Sequence, residues 1–264
     1  MNRIDSCFAK LREENKTAFV SYLVAGDPSL DQTPSLALAL EKGGCDIIEL
    51  GVPFSDPLAD GLVNQLGAQR ALDSGTTLKG IFEVVQKIRM TSEIPIVLFT
   101  YYNPIYHYGL QQFLKDAEQA GVDGVLILDL PPEEAKEEWP ANCELKNITL
   151  IAPTTPEERM AKIAASSSGF IYYVSREGVT GMQTSLPENI TRQIAAITAH
   201  TDLPVCVGFG ISNPDQARVV AKCAQGVVVG SAIVNHIAQN LEASDLPQKL
   251  TEFVSPLTEA THQP

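Results

Sequence analysis

Short apolar runs rich in Val and Ile recur along the chain at intervals of about thirty residues, the spacing of a repeated strand and helix. They fall at 18–25, 45–50, 94–100, 124–128, 148–152, 170–174, 204–208 and 226–229. The segments between them follow the helical period. Over 77–90, Leu78, Ile81, Val84, Val85 and Ile88 lie on one side, and 110–120 and 213–223 repeat the pattern. Pro156 and Pro214 stand where a first helical turn would begin, a position that needs no N–H. Strands that are apolar throughout, rather than alternating, are buried on both faces, as in a parallel sheet covered by helices.

Eight such strands alternating with helices make an α/β chain that is expected to close as a single (β/α)8 barrel, the TIM-barrel fold. A doubly wound open sheet is the alternative. The loops favour the barrel, because the chemically informative residues follow strands two, six, seven and eight. In a barrel those loops meet on one face; in an open sheet they would be scattered along an edge. No linker, low-complexity tract or composition shift divides the chain, so residues 1–264 are expected to form one domain. The segment 2–13 places Ile4, Cys7, Phe8 and Leu11 on one face and is expected to be a helix capping the barrel bottom.

Composition narrows the function classes. A net charge of −13 argues against non-specific binding to nucleic acid or to an anionic membrane. An anionic ligand would have to be held by local dipoles rather than by a basic field. The 5 cysteines include no Cys-x-x-Cys pair and are expected to be reduced thiols of a cytoplasmic protein. The chain has no apolar signal core at its start and no apolar run of membrane-spanning length. His107, His200, His236 and His262 are widely spaced, so no metal site is expected.

Two regions carry candidate chemistry. In the first, the apolar pair Ile47 and Ile48 delivers Glu49 to a strand end, and a loop stiffened by Pro53 and Pro57 follows with Asp56 and Asp60. Catalytic groups in a barrel come from C-terminal strand ends, and burial would raise the pKa of Glu49 into a usable range. A second carboxylate could divide the acid/base labour with it. Spacing alone does not choose between Asp56 and Asp60, since Asp before Pro or Gly also makes plain turns. In the second region, Gly208 and Gly210 leave strand seven, and Gly230 and Ser231 leave strand eight to open a helix. Loops seven and eight with a helix N-terminus are the usual phosphate position in such barrels. The loop 175–181, with Gly178 and Gly181, has the composition of a lid.

In residues 49–61, and in the order of the motifs from Phe19 to Ala232, the chain resembles the tryptophan synthase α-subunit family. Those motifs include Ala25–Pro28, Tyr101–Pro104, Asp129–Pro131, 175–181, 208–211 and Gly230 with Ser231. The resemblance implies a lyase that splits indole-3-glycerol phosphate into indole and glyceraldehyde 3-phosphate. It assigns Glu49 as general acid/base and Asp60 as acceptor of the indole N–H. Tyr172 lines the site near Glu49, and Thr180 belongs to the lid and orients Asp60. Gly181, Gly210, Gly230 and Ser231 hold phosphate; Tyr22, Phe99, Leu126, Ile151 and Phe209 form the apolar indole pocket. Pro53, Asp56 and Pro57 face a β subunit, which would carry pyridoxal phosphate and complete an α2β2 complex. This chain itself would need no metal or organic cofactor.

The chain departs from the family pattern at four positions. Val24 stands for a usual Thr, and Leu62 for a proline that stiffens the loop. Asn64 replaces an apolar residue that touches the pocket. Gly67 stands for alanine in a helical segment, at a propensity cost of about 1 kcal/mol. Leu62 and Asn64 imply a loop less well set in the free chain, and hence weak activity without the partner. Two other functions fit parts of the pattern: a phosphate-binding barrel acting on another sugar phosphate, and a non-catalytic barrel kept to activate its partner.

Overall fold

A computed structural model describes residues 1–140, 143–175, 186–208 and 210–263, with only the backbone course at 136–138 and 186–189. Eight strands form the wall: β1 Ala18–Val24, β2 Ile47–Gly51, β3 Ile96–Thr100, β4 Gly124–Ile127, β5 Lys146–Ile151, β6 Ile171–Val174, β7 Val205–Gly208 and β8 Gly226–Val229. All pair in parallel in sequence order, and β8 returns to β1, so the sheet closes. The open-sheet alternative is thereby excluded. The helices are α1 Arg3–Glu13, α2 Thr33–Lys42, α3 Leu62–Asp73, α4 Leu78–Arg89, α5 Tyr102–Tyr108 and α6 Leu110–Ala120. They continue with α7 Pro132–Glu138, α8 Glu157–Ser166, α9 Leu186–Thr198, α10 Pro214–Ala221, α11 Ser231–Ala238 and α12 Leu246–His262. Among the described residues no helix is long and apolar enough to cross a membrane.

The core has two layers because successive strand residues point to opposite faces. Leu23, Ile48, Leu50, Leu98, Val125 and Ile151 face outward and meet the helices, for example Leu36 and Leu40 of α2 and Ile81 and Val85 of α4. Val20, Ile47, Val97, Leu126, Ile148 and Cys206 face inward and fill the barrel. Helix α1 closes the bottom as expected. Asn2 caps it by accepting from the Ile4 N–H at 3.0 Å, and Ile4, Phe8 and Leu11 pack into the inward cluster. The face foreseen on α4 is buried, with Thr77 as its N-cap.

Strand limits differ from the apolar runs by one or two residues. Ile94 is buried but lies before β3, and β5 begins at Lys146, ahead of its apolar part. Helix α12 has no counterpart in the sequence reading. Its buried face, Leu246, Leu250, Val254 and Leu257, covers α2 and α10. Thr251 and Thr258 donate to the carbonyls of Ala39 and Gly43 at 2.9 and 2.6 Å, fixing it there. Its last residue, His262, reaches Asp46 at 2.8 Å, just before β2.

Candidate active site

The C-terminal strand ends enclose a cavity of about 540 Å³ lined by Tyr22, Glu49, Phe99, Tyr172, Gly208, Gly230 and Ser231, with Asn64 from α3. The wall is aromatic. Tyr22 meets Phe99 edge-on at 5.1 Å, and Phe99 meets Tyr172 at 6.4 Å. Two glycines make room for these rings. A Cβ at Gly51 would strike the Tyr22 hydroxyl, and one at Gly208 the Tyr172 hydroxyl. Such a slot accepts a flat apolar ring.

Glu49 stands in β2 opposite Tyr22 of β1 and is 0 % exposed. Neither carboxylate oxygen has a hydrogen-bond partner. Burial pushes its pKa up to about 8, so the carboxyl is mainly protonated at neutral pH. Burial likewise holds the Tyr22 and Tyr172 phenols well above their usual range, with the nearby acids adding to the effect. Both remain neutral.

Asp60 is half-buried at the end of the loop after β2. Burial raises its pKa, while the Tyr101 hydroxyl and the Asn64 amide pull it back toward the ionised form. Tyr101 donates to Asp60 at 2.8 Å and accepts from the Ala59 N–H at 2.9 Å. Gln65 donates to the Asp60 carbonyl at 2.7 Å. The loop is therefore tied at three points. Asp56 is exposed and receives only the adjacent Ser55 hydroxyl, at 2.7 Å. The two acids differ in position: Asp60 is half-buried against Tyr101 and Asn64, whereas Asp56 is exposed.

Gly230 precedes α11, and Ser231 begins it at the cleft. First-turn N–H groups there have no helical partner and suit an anion. Gly210 has φ +64°, a left-handed backbone that favours glycine. Among the described residues lining this cavity there is no lysine or arginine. Leu126 packs inside the barrel with Val97 and Ile148, beneath the cleft. Ile151, expected in the pocket, lies instead in the outward layer against the helices. Strand β5 pairs Leu150, not Ile151, with the inward Tyr172, so side-chain alternation turns Ile151 away. Thr180, Gly181 and Phe209 lie outside the described residues, as does all of the expected lid except Ser175. Gly67 is explained by close packing: a Cβ there would stand 2.8 Å from Val234 of α11.

Pro53 is buried and Pro57 half-buried, while Leu58 at the loop tip is 93 % exposed. Leu62 and Leu66 on α3 and Tyr106 on α5 are also exposed. The 5 cysteines are free, and no cluster among the described residues could hold a metal.

The family model for the tryptophan synthase alpha chain matches residues 8–262. The chain belongs to the tryptophan synthase α-chain family. It is 52 % identical over 254 residues to the tryptophan synthase alpha chain of Opitutus terrae, covering 95 % of this chain and 94 % of that one. It is 51 % identical over 260 residues to that of Geotalea daltonii, covering 97 % and 98 %. The crystal structure of the Legionella pneumophila α subunit superimposes with a TM-score of 0.91 at 39 % identity, covering 99 % of this chain and 98 % of that one. The family's function is the lyase half-reaction of tryptophan synthase: cleavage of indole-3-glycerol phosphate, with indole passed to a β subunit. Sequence reasoning gave Tyr101 no role; its signal was only an aromatic residue directly after a strand end.

Proposed function

We propose that Glu49 and Asp60 carry out the retro-aldol cleavage of indole-3-glycerol phosphate in this cavity. The observation that carries this reading is Glu49: a fully buried, unpaired and largely protonated carboxyl facing an aromatic slot. Protonated Glu49 gives its proton to ring C3. Asp60, as carboxylate, accepts the indole N–H and stabilises the positive charge that develops on the ring. Ionised Glu49 then takes the proton of the hydroxyl on the chain carbon bonded to C3. The bond between those carbons breaks, its electrons return to the ring, and indole and glyceraldehyde 3-phosphate form. Glu49 ends protonated, so the cycle is balanced without a metal or organic cofactor.

Tyr22, Phe99 and Tyr172 clamp the ring, with Leu126 below and Phe209 as the remaining apolar candidate. Gly181, Gly210, Gly230 and Ser231 hold the phosphate, and Thr180 in the lid orients Asp60. The exposed apolar surface around Leu58, with Pro53, Asp56 and Pro57, meets the β subunit of a cytoplasmic α2β2 complex, in which the β subunit holds pyridoxal phosphate.

The test is ligand-induced thermal stabilisation. Indole-3-glycerol phosphate should raise the melting temperature where ribulose phosphates do not. An equal response to both would contradict the assignment.

A further inference from the structure

Asn64 lies in the first turn of α3 and lines the cavity. Its side chain has a donor end and an acceptor end. The amide beside Asp60 favours the ionised carboxyl, which only the NH2 end can do. The Oδ1 end therefore turns away from Asp60. That oxygen is buried and has no hydrogen-bond partner. An acceptor left so is costly, and in a binding cavity the missing donor is supplied by the ligand.

The position of Asn64 identifies which part of the ligand is nearest. Helices α3 and α11 both start at the C-terminal rim of the barrel and run the same way. Gly67 faces Val234, and one turn back along each helix stand Asn64 and Ser231. Asn64 thus lies between Asp60, at the ring end, and the Gly230–Ser231 corner, at the phosphate end. The substrate atoms spanning that interval are the three-carbon chain with its two free hydroxyls.

We propose that Asn64 is a specificity-determining residue whose Oδ1 accepts a hydrogen bond from a hydroxyl of the substrate's glycerol chain. It selects the hydroxylated chain over its deoxy counterpart. The inference rests on the placement of ring and phosphate given under Proposed function.

The test compares two ligands in Asn64→Leu and Asn64→Ala. One is indole-3-glycerol phosphate, read as KM for indole release. The other is indole-3-propanol phosphate, read as Kd by calorimetry, which keeps the ring and the phosphate and lacks both hydroxyls. Both variants should raise KM about 2- to 10-fold more than they raise the Kd of the analogue, because loss of the amide beside Asp60 acts on both ligands and loss of Oδ1 on the hydroxylated one alone. Equal weakening of both ligands, or an unchanged KM, overturns the role of Asn64 alone. A parent protein that binds neither ligand overturns the underlying reading of the site as well.

Discussion

Tyr101 joins a rigid strand end to the loop that carries Asp60, donating to its carboxylate at 2.8 Å and accepting from the Ala59 N–H at 2.9 Å. It follows β3 directly and is 4 % exposed, with its ring 5.4 Å from Phe54 of the same loop. Asp60 is thus held by the barrel wall before any lid or partner acts. The bond favours the carboxylate, so its loss in Tyr101→Phe should raise the Asp60 pKa further. Because the ionised form is needed, the acidic limb of the kcat/KM profile should move to higher pH. The plateau should fall about 10- to 100-fold, the scale of a hydrogen bond to a charged group. A uniform loss with an unmoved limb would mean that Tyr101 only supports the fold.

Glu49 links catalysis to stability. Its pKa is about 8 in the folded chain, raised from an ordinary 4.5. The folded state therefore holds the proton more tightly than the unfolded state, and stability falls as pH rises from about 4.5 through about 8. Glu49→Gln removes this dependence. Its melting temperature relative to the parent should rise by several degrees between pH 6 and pH 9, reflecting about 2–3 kcal/mol. A pH-independent difference between the two proteins would contradict the raised pKa.

Gly230 tests the phosphate corner. A Cβ there would stand 3.3 Å from the Cβ of Tyr22, a tight contact with the cavity wall. Gly230→Asp adds a negative charge at the N-terminus of α11. Glyceraldehyde 3-phosphate and indole-3-glycerol phosphate should bind at least about 10-fold more weakly, with indole binding spared. Calorimetry that finds equal losses for indole and for the phosphates would instead indicate misfolding.

The partner should act by ordering groups already present. The loop that carries Asp60 also exposes Leu58; on the proposed function, contact of a β subunit with this loop would reach Asp60 directly. Indole release by the isolated chain is expected to be weak and to rise at least about 10-fold on adding β subunit. Thr180→Val should remove much of that gain. Full activity of the isolated chain, or undiminished stimulation of the variant, would contradict this.

The barrel was legible because strands buried on both faces are apolar throughout, and eight of them separated by helical periods leave few topologies. The same property hid detail. The apolar pair Leu150 and Ile151 that ends β5 offers no difference in residue type, so the inward position of one and the outward position of the other are not told apart by that pair alone. Helix α12 is less legible because Pro256 interrupts its pattern. Glu49 could be singled out as an acid ending an apolar strand. Choosing Asp60 over Asp56 required the resemblance, because the contact that holds Asp60, Tyr101, comes from just after β3, 41 residues away in sequence.

The most direct test of the mechanism is the rate of indole formation from indole-3-glycerol phosphate by Glu49→Gln, measured beside the parent at neutral pH with saturating substrate. Glutamine keeps the shape of the buried side chain and cannot shuttle a proton. The rate should fall by at least about two decades while indole binding persists. Indole release within a few-fold of the parent's would show that Glu49 is not the acid/base.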